Sequence, residues 1–333
     1  MLNKLGHSSN TKGKKILITG GAGFIGSNLC EYLSVENEVV CIDNLLTGHR
    51  ENIQHLIDSG RILFHEGDIT DTSFLDYIFS TYQFDAVCHQ AALGSVPRSI
   101  KNPIPTQEIN STGFLNVLHH AKESGIKRFV FASSSSVYGD SKELPKVESN
   151  IGEPLSPYAV TKLTNEKYAK VYRDIHGMEI IGTRYFNVFG PNQDPNGVYA
   201  AVVPKFIQIL RNGKSPEIYG DGLQTRDFTF IANVLHANDL ALSTTNQSAF
   251  GEIYNVACGD SFSLNHVFEV IKSALKKNGI DVDSIQAVYK EEREGDIKNS
   301  LADLSKIASK LNYEPLYTFE QGMDLYISTL LEG

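Results

Sequence analysis

The stretch Ile16-Leu17-Ile18-Thr19-Gly20-Gly21-Ala22-Gly23-Phe24-Ile25-Gly26 sets a short apolar run against a glycine-rich turn that leads into a helical pattern. A buried strand, a tight turn and a helix start, in that order, open a βαβ unit. The GxxGxxG spacing lets the backbone turn sharply and approach a pyrophosphate, whose charge meets the unpaired amides of the helix N-terminus. Asp43 closes the next apolar run, Val39-Val40-Cys41-Ile42, at the distance where an acid binds adenosine ribose hydroxyls. A carboxylate there repels a 2′-phosphate, so the pattern favours NAD over NADP, with Arg50 the nearest cation bearing on that preference.

Outward from this unit, the apolar runs Ile62-Leu63-Phe64, Ala86-Val87-Cys88, Phe129-Val130-Phe131 and Ile180-Ile181 continue the series. Helical patterns at Phe24 to Leu33, Pro105 to Glu123 and Pro157 to His176 lie between them. Continuous rather than alternating apolar runs fit parallel strands buried on both faces. The fold class expected is α/β, a doubly wound parallel sheet (Rossmann) with a smaller mixed C-terminal substrate domain. Asp68-Ile69 and Gln90-Ala91-Ala92 follow the third and fourth runs, at strand C-terminal ends where such sheets bind ligands. After Tyr185 the rhythm breaks into a segment rich in Gly, Pro, Asn and Asp. The expected parts are an N-terminal extension (1–14), a dinucleotide-binding domain (15–190) and a mainly substrate-binding region (191–333) whose later segments are free to return to the first domain.

With 333 residues, 41% hydrophobic and 21% charged, the chain has ample core for one large or two moderate domains. A formal net charge of -9 argues against a nucleic-acid partner. Cys30, Cys41, Cys88 and Cys258 are scattered without a CxxC pair or a zinc-ligand spacing, so they read as small buried apolar residues and no metal is expected. The polar stretch Met1 to Lys15 lacks the apolar segment of a signal peptide, and no run reaches the ~18 apolar residues of a membrane span. A cytoplasmic protein without a membrane partner is expected.

Ser156-Pro157-Tyr158-Ala159-Val160-Thr161-Lys162 places a tyrosine and a lysine at i and i+4, on one helix face. A phenol ionises near pH ~10, so acting as a base near neutrality requires ~4 kcal/mol of extra stabilisation of the phenolate. Lys162 and the positive ring of an oxidised nicotinamide are the expected sources. The serine run Ala132-Ser133-Ser134-Ser135-Ser136 follows the fifth apolar run and brings hydroxyls to the same sheet edge.

These segments resemble the extended short-chain dehydrogenases/reductases, specifically the nucleotide-sugar 4-epimerases, over Lys15 to about Leu330. The blocks Gln90-Ala91-Ala92-Leu93-Gly94-Ser95-Val96-Pro97-Arg98-Ser99 and Arg184-Tyr185-Phe186-Asn187-Val188-Phe189-Gly190 look closest to bacterial UDP-N-acetylglucosamine/UDP-N-acetylgalactosamine 4-epimerases of surface-polysaccharide pathways. The resemblance implies a catalytic triad at Ser134, Tyr158 and Lys162 and a tightly held NAD. Its expected cofactor contacts are Gly20, Gly23, Phe24, Ile25, Gly26, Asp43, Asn44, Gly48, Asp68, Ile69, Gln90, Ala91, Asn110, Tyr158, Lys162, Tyr185 and Phe186. For a UDP-sugar it implies Asn187 on the diphosphate, Ala201, Val202 and Tyr219 near uracil, Arg226 and Arg293 on phosphates, and Asp296 on the uridine ribose. Ser134 belongs to this set too. Ser300 matches a site that carries a bulky tyrosine in epimerases restricted to unacetylated sugars, which implies room for a 2-N-acetyl group, with Ser95 as its neighbour. A homodimer, built from paired helices, is also implied.

Sugar 4,6-dehydratases place Asp-Glu after the catalytic hydroxyl, where this chain has Ser135-Ser136, and decarboxylases usually carry a glutamate in that stretch. UDP-glucuronate and UDP-glucose 4-epimerisation stay open as alternatives, with Arg98 not clearly placed for a carboxylate. So does a catalytically inert nucleotide-sugar-binding protein.

Overall fold

The structure is a computed structural model that describes residues 6–196, 200–292 and 299–332. Strands β1 (Lys15–Thr19), β2 (Glu38–Asp43), β3 (Ile62–Glu66), β4 (Ala86–His89), β5 (Arg128–Ser134) and β6 (Glu179–Tyr185) come first. The second half adds β7 (Val188–Phe189), β8 (Glu217–Tyr219), β9 (Thr225–Arg226), β10 (Thr229–Phe230), β11 (Glu252–Val256), β12 (Phe262–Ser263) and β13 (Val288–Lys290). Seven of these form one parallel sheet in the order β11-β6-β5-β4-β1-β2-β3. The order reverses between β1 and β4, and their diverging C-terminal ends open a crevice. The remaining strands pair two by two, β7 with β10, β9 with β12 and β8 with β13.

The helices are α1 (Phe24–Leu33), α2 (Gln54–Asp58), α3 (Thr72–Thr81), α4 (Val96–Lys101), α5 (Pro103–Gln107), α6 (Phe114–Glu123) and α7 (Pro157–His176). Beyond them lie α8 (Val202–Arg211), α9 (Ile231–Ser243), α10 (Leu264–Lys277), α11 (Ser305–Leu311) and α12 (Phe319–Glu332). Side chains alternate across the sheet, so each strand feeds two cores. Ile16, Ile18, Cys41, Cys88 and Val130 face α1 and α9, whereas Leu17, Val40, Val87, Phe129 and Phe131 face α3, α6 and α7. Among the described residues no helix is long and apolar enough to cross a membrane.

Two expectations need correction. The third apolar run is not buried on both faces, since β3 is an edge strand and Leu63 is 54% exposed. The helix expected from Pro105 begins at Pro103, and its middle, Glu108–Gly113, is a π-helical segment between α5 and α6. Both prolines fall in the first turn, where their missing N–H groups have no intrahelical partner to lose. The helices expected at 24–33 and 157–176 form with those bounds.

Residues well beyond Tyr185 complete the sheet. The strand β11 covers the outer edge of β6, and α9 packs under β4, β5, β6 and β11. The buried carboxylate of Asp239 on α9 also ties down the start of the chain. It accepts from Ser9 Oγ at 2.7 Å, Asn10 N at 2.7 Å and Thr11 N at 2.9 Å, with Tyr32 Oη at 3.3 Å. Removing that acceptor leaves several buried donors unsatisfied, at ~1–3 kcal/mol for each important one. Asp239→Ala should lower unfolding free energy by ~3 kcal/mol, read as a reduced urea midpoint; an unchanged midpoint would show that the N-terminal segment contributes nothing.

Candidate active site

A cavity of about 340 Å³ occupies the crevice at the strand ends. Its outer wall is the glycine turn. Gly20 has φ +69°, and a Cβ there would stand 2.6 Å from Ala91 N; a Cβ on Gly26 would stand 2.1 Å from Gly20 O. The backbone is thus packed to a closeness that only hydrogen permits, and it brings the start of α1, Phe24 to Gly26, to the cavity. Gly23, Phe24, Ile25, Asn44, Ile69, Gln90 and Ala91 line the same space.

Asp43, at the end of β2, is buried on this wall; Oδ2 accepts from Ala22 N at 3.0 Å and Oδ1 from Leu45 N at 2.8 Å. Burial pushes its carboxyl up, and the amides act against that. Gly48 packs behind it, on Ala22 and Asp43. Asp68 steadies the rim: burial opposes its charge, but bonds from Thr70 and Asn44 hold its carboxyl below the usual range. Arg50 is engaged elsewhere, 3.8 Å from Glu66 and over the Phe64 ring, so no cation there relieves Asp43. A close-approach turn, a helix start lining the cavity and an acid at the second strand fit a dinucleotide with a free ribose 2′-hydroxyl.

At the inner end, Ser156 caps α7 by accepting from Ala159 N at 3.2 Å, and Pro157 occupies its first turn. Tyr158 and Lys162, one turn apart, both line the cavity. Lys162 is 3% exposed, and its Nζ donates to Ala132 O at 2.8 Å. Burial pushes the lysine down to about 8, opposed by Glu166. The neighbouring His89, buried and beside this cation, is pushed down to about 3 and is neutral.

Burial raises the Tyr158 phenol and Ser134 acts to lower it, with Lys162 Nζ 5.8 Å from the centroid of the phenol ring. The serine run divides: Ser133 lines the cavity and donates to Glu166 at 2.6 Å, while Ser134 Oγ accepts from Ser136 N at 3.1 Å and acts to lower the Tyr158 phenol.

A second cavity, about 240 Å³, gathers Asn187, Val202, Tyr219 and Arg226. Ala201 caps α8 beside it. Asn187 has φ +29° and donates through Nδ2 to Asp227 O at 3.1 Å, while Arg226 Nη1 donates to Thr225 O at 2.9 Å. The Asp227 carboxylate accepts from the amides of Cys258, Gly259 and Ala302, and burial pushes it up to about 7. It thereby locks the Arg226 strand to two other segments.

Other expected residues stand off these walls. Asn110 lies beneath the first cavity, bonded to Leu93 and to Thr161 Oγ1. Phe186 is fully buried with Tyr138, Ala257 and Ala302, whereas Tyr185 does line the cavity. Ser95, at φ +151°, caps α4 by accepting from Arg98 N. Ser300 is buried against Thr225, donating its amide to Thr225 O at 3.1 Å, one residue from Arg226. Arg293 and Asp296 lie outside the described residues. Sequence reasoning missed His49, Asn192 and Asp194 on the first cavity, which sit in aperiodic loops, and Lys205 on the second. Lys205 was findable, three residues after Val202 on one helix face. Among the described residues no cluster of three or more His, Cys, Asp or Glu could hold a metal ion.

A doubly wound sheet whose glycine turn and Tyr-Lys pair face one crevice defines a dinucleotide-binding α/β protein. Residues 17–325 match the family model described as GDP-mannose 4,6 dehydratase. A "Putative UDP-glucose 4-epimerase" of Methanocaldococcus jannaschii is 37% identical over 310 residues, 92% of this chain and 95% of that protein. The UDP-N-acetylglucosamine 4-epimerase of Methanobrevibacter ruminantium, solved with UDP-N-acetylmuramic acid, superposes with a TM-score of 0.89 at 37% identity, over 97% of this chain and 99% of that one. The UDP-glucuronic acid 4-epimerase of Bacillus cereus, solved with UDP-glucuronic acid and NAD, gives 0.84 at 32% identity, over 96% and 99%. The chain belongs to the extended short-chain dehydrogenase/reductase family, in its GDP-mannose dehydratase-like, UDP-sugar epimerase branch.

The site yields its own test. Asp43→Ala should weaken retention of a dinucleotide by ~10-fold or more, measured as cofactor left after desalting; full retention would remove Asp43 from the ribose.

Proposed function

We propose that the chain is a cytoplasmic, NAD-dependent 4-epimerase that interconverts UDP-N-acetylglucosamine and UDP-N-acetylgalactosamine through a transient 4-keto sugar. The observation that carries the reading is the pairing of Tyr158 and Lys162 on the inner wall of the glycine-turn cavity, with Ser134 acting on the Tyr158 phenol from the end of β5. Gly20, Gly26 and Asp43 would hold NAD, which when bound supplies the acceptor and donor of the sugar's C4 hydride. Tyr158 takes the proton of the 4-hydroxyl and later returns it, and Ser134 hydrogen-bonds the same oxygen as its charge changes. The low exposure of Lys162 keeps water from its side of these exchanges.

Asn187, Arg226 and Lys205 would grip the diphosphate and Tyr219 and Val202 the uracil, with Arg293 and Asp296 completing the grip on a phosphate and the ribose. A fixed nucleotide lets the hexose turn about its link and present the other face to the same proton carrier. Ser135 and Ser136, standing where dehydratases need an acid pair, give no means to expel water from C5 and C6. The acetylated sugar is favoured by the small side chain of Ser300 beside the Arg226 strand, with Ser95 as its neighbour across the acetamide. A homodimer is part of the reading, supported by the exposed apolar stripe Val160, Tyr168, Val171 and Ile175 on α7 with Ile100 and Ile104.

The decisive experiment incubates the NAD-loaded chain with UDP-N-acetylgalactosamine, UDP-galactose or UDP-glucuronate and identifies the sugars after hydrolysis. Conversion of the acetylated pair supports the reading. Conversion confined to an unacetylated sugar or the uronate replaces the substrate, and no conversion leaves a binding protein. Deuterium at C4 should stay with the sugar, and its loss to water would refute the hydride route. Tyr158→Phe should lower turnover ~100-fold or more with cofactor still in place. Ser300→Tyr should shift preference toward unacetylated sugars, measured as the ratio of kcat/KM values, and a constant ratio removes Ser300 from the pocket.

A further inference from the structure

The time a bound molecule stays in its site is set by its off-rate, which is governed by the contacts that must break before it leaves. Part of the dinucleotide cavity's wall comes from the second half of the chain. Asn192 and Asp194, in the loop after β7, line it together with Gly23, Phe24, His49 and Asn52. His49, Asn52, Asn192 and Asp194 also line a separate cavity of about 710 Å³, whose other walls include Ile207, Arg211 and Tyr326. The segment 191–194 and the turn at His49 therefore stand as a partition between the two spaces.

This partition is fastened to both flanks of the glycine turn. On α1, the buried Asn28 donates through Nδ2 to Pro191 O at 3.0 Å and to Phe24 O at 2.8 Å. One residue earlier, the buried Ser27 accepts at Oγ from Asn192 Nδ2 at 3.0 Å. On the other flank, Asp194 Oδ2 lies 3.8 Å from His49 Nε2. His49 is itself tied to the turn, its amide donating to Ala22 O at 3.0 Å, where Asn52 Nδ2 also donates at 2.9 Å. The His49 pair is half-exposed and contributes little. The two bonds to α1 are the firm attachments, because each has one partner sheltered from water. Asn192 meets Ser27 from φ +66°, a left-handed conformation that asparagine tolerates.

We propose that residues 191–194 form a strap that retains the dinucleotide, with Ser27 and Asn28 of α1 as positioning residues that hold the strap through Asn192 and Pro191. Ser27 and Asn28 are not among the residues lining the cavity, so changing them loosens the strap without removing a contact to the cofactor. The inference concerns the cofactor alone and holds whichever sugar is turned over. Slow release matters wherever one dinucleotide is reduced and reoxidised within a cycle, since its escape in the reduced form strands the oxidised sugar.

The test loads the purified chain with NADH and chases it with excess NAD, following the loss of NADH fluorescence. Ser27→Ala and Asn192→Gly remove the two ends of one bond, with alanine suited to the helix and glycine to the left-handed position. Each should speed release about 5-fold, and Asn28→Ala should do the same from the Pro191 side. Because Ser27 and Asn192 share one bond, their double variant should release NADH no faster than the faster single variant. Release unchanged in both single variants, or effects that multiply in the double, overturns the proposal. Should Asn28→Ala fail to fold, the Ser27 and Asn192 variants decide the matter alone. The chase needs no turnover, so its failure leaves the epimerase reading standing. A parent chain inactive on every UDP-sugar, yet with release that depends on the strap, sinks that reading and not this one.

Discussion

Parallel strands all end on the same side, and that constraint gathers the chemistry of this molecule. Gly20, Asp43, Gln90, Ser134 and Tyr185 each stand at or just past the C-terminal end of a strand, and Tyr158 and Lys162 reach the same edge from α7. The edge is also where charge must be kept away from water. Lys162, Glu166, Arg184, Asp43 and Asp227 are all nine-tenths buried or more. An unpaired charge in such a place is strongly destabilising, so each is answered by a backbone group or an opposite charge.

The answers differ in kind. Asp43 and Asp227 are held by main-chain amides, which makes each a peg joining backbone segments that are distant in sequence. Glu166 and Arg184 answer one another through a two-pronged pair. Lys162 has a carbonyl and a carboxylate one turn away, and so remains the least completely neutralised charge of the group. A functional site can use that imbalance, because a charge already satisfied on all sides has nothing left with which to influence a substrate.

The sheet was readable because its strands are continuous runs of β-branched and aromatic residues and its two best helices carry explicit start signals, a glycine turn for α1 and Ser156-Pro157 for α7. The π-helical segment at Glu108–Gly113 was not, since nothing in the spacing of Glu108 to Gly113 departs from an ordinary helix; its register is set by Asn110 bonding across to Leu93 and Thr161. Short α2 and α4 carry too few residues to show a period. The glycine turn, Asp43, Tyr158 and Lys162 announced themselves by spacing along one segment. Glu166, Asp227 and Asp239 did not, because an acid inside a helix or beside a basic residue reads as surface charge, and only the tertiary fold reveals that water is absent. Ser95, Phe186 and Asn110 stand in the expected segments, and their capping of α4, core packing and bracing of Leu93 and Thr161 come from contacts distant in the fold or too local for a sequence pattern to show.

The late arrival of β11 has a consequence for synthesis. A ribosome that has finished β6 has delivered the glycines of the dinucleotide turn and the tyrosine–lysine pair, yet the hydrogen-bonding rim of that strand stays bare until residues 252–256 emerge. An uncapped rim of this kind invites pairing with other nascent chains. The helix that anchors the first residues is also made in this interval, after more than two-thirds of the polypeptide. The molecule therefore matures as one cooperative object, and a fragment ending near Gly190 would be an aggregation-prone intermediate rather than a freestanding module.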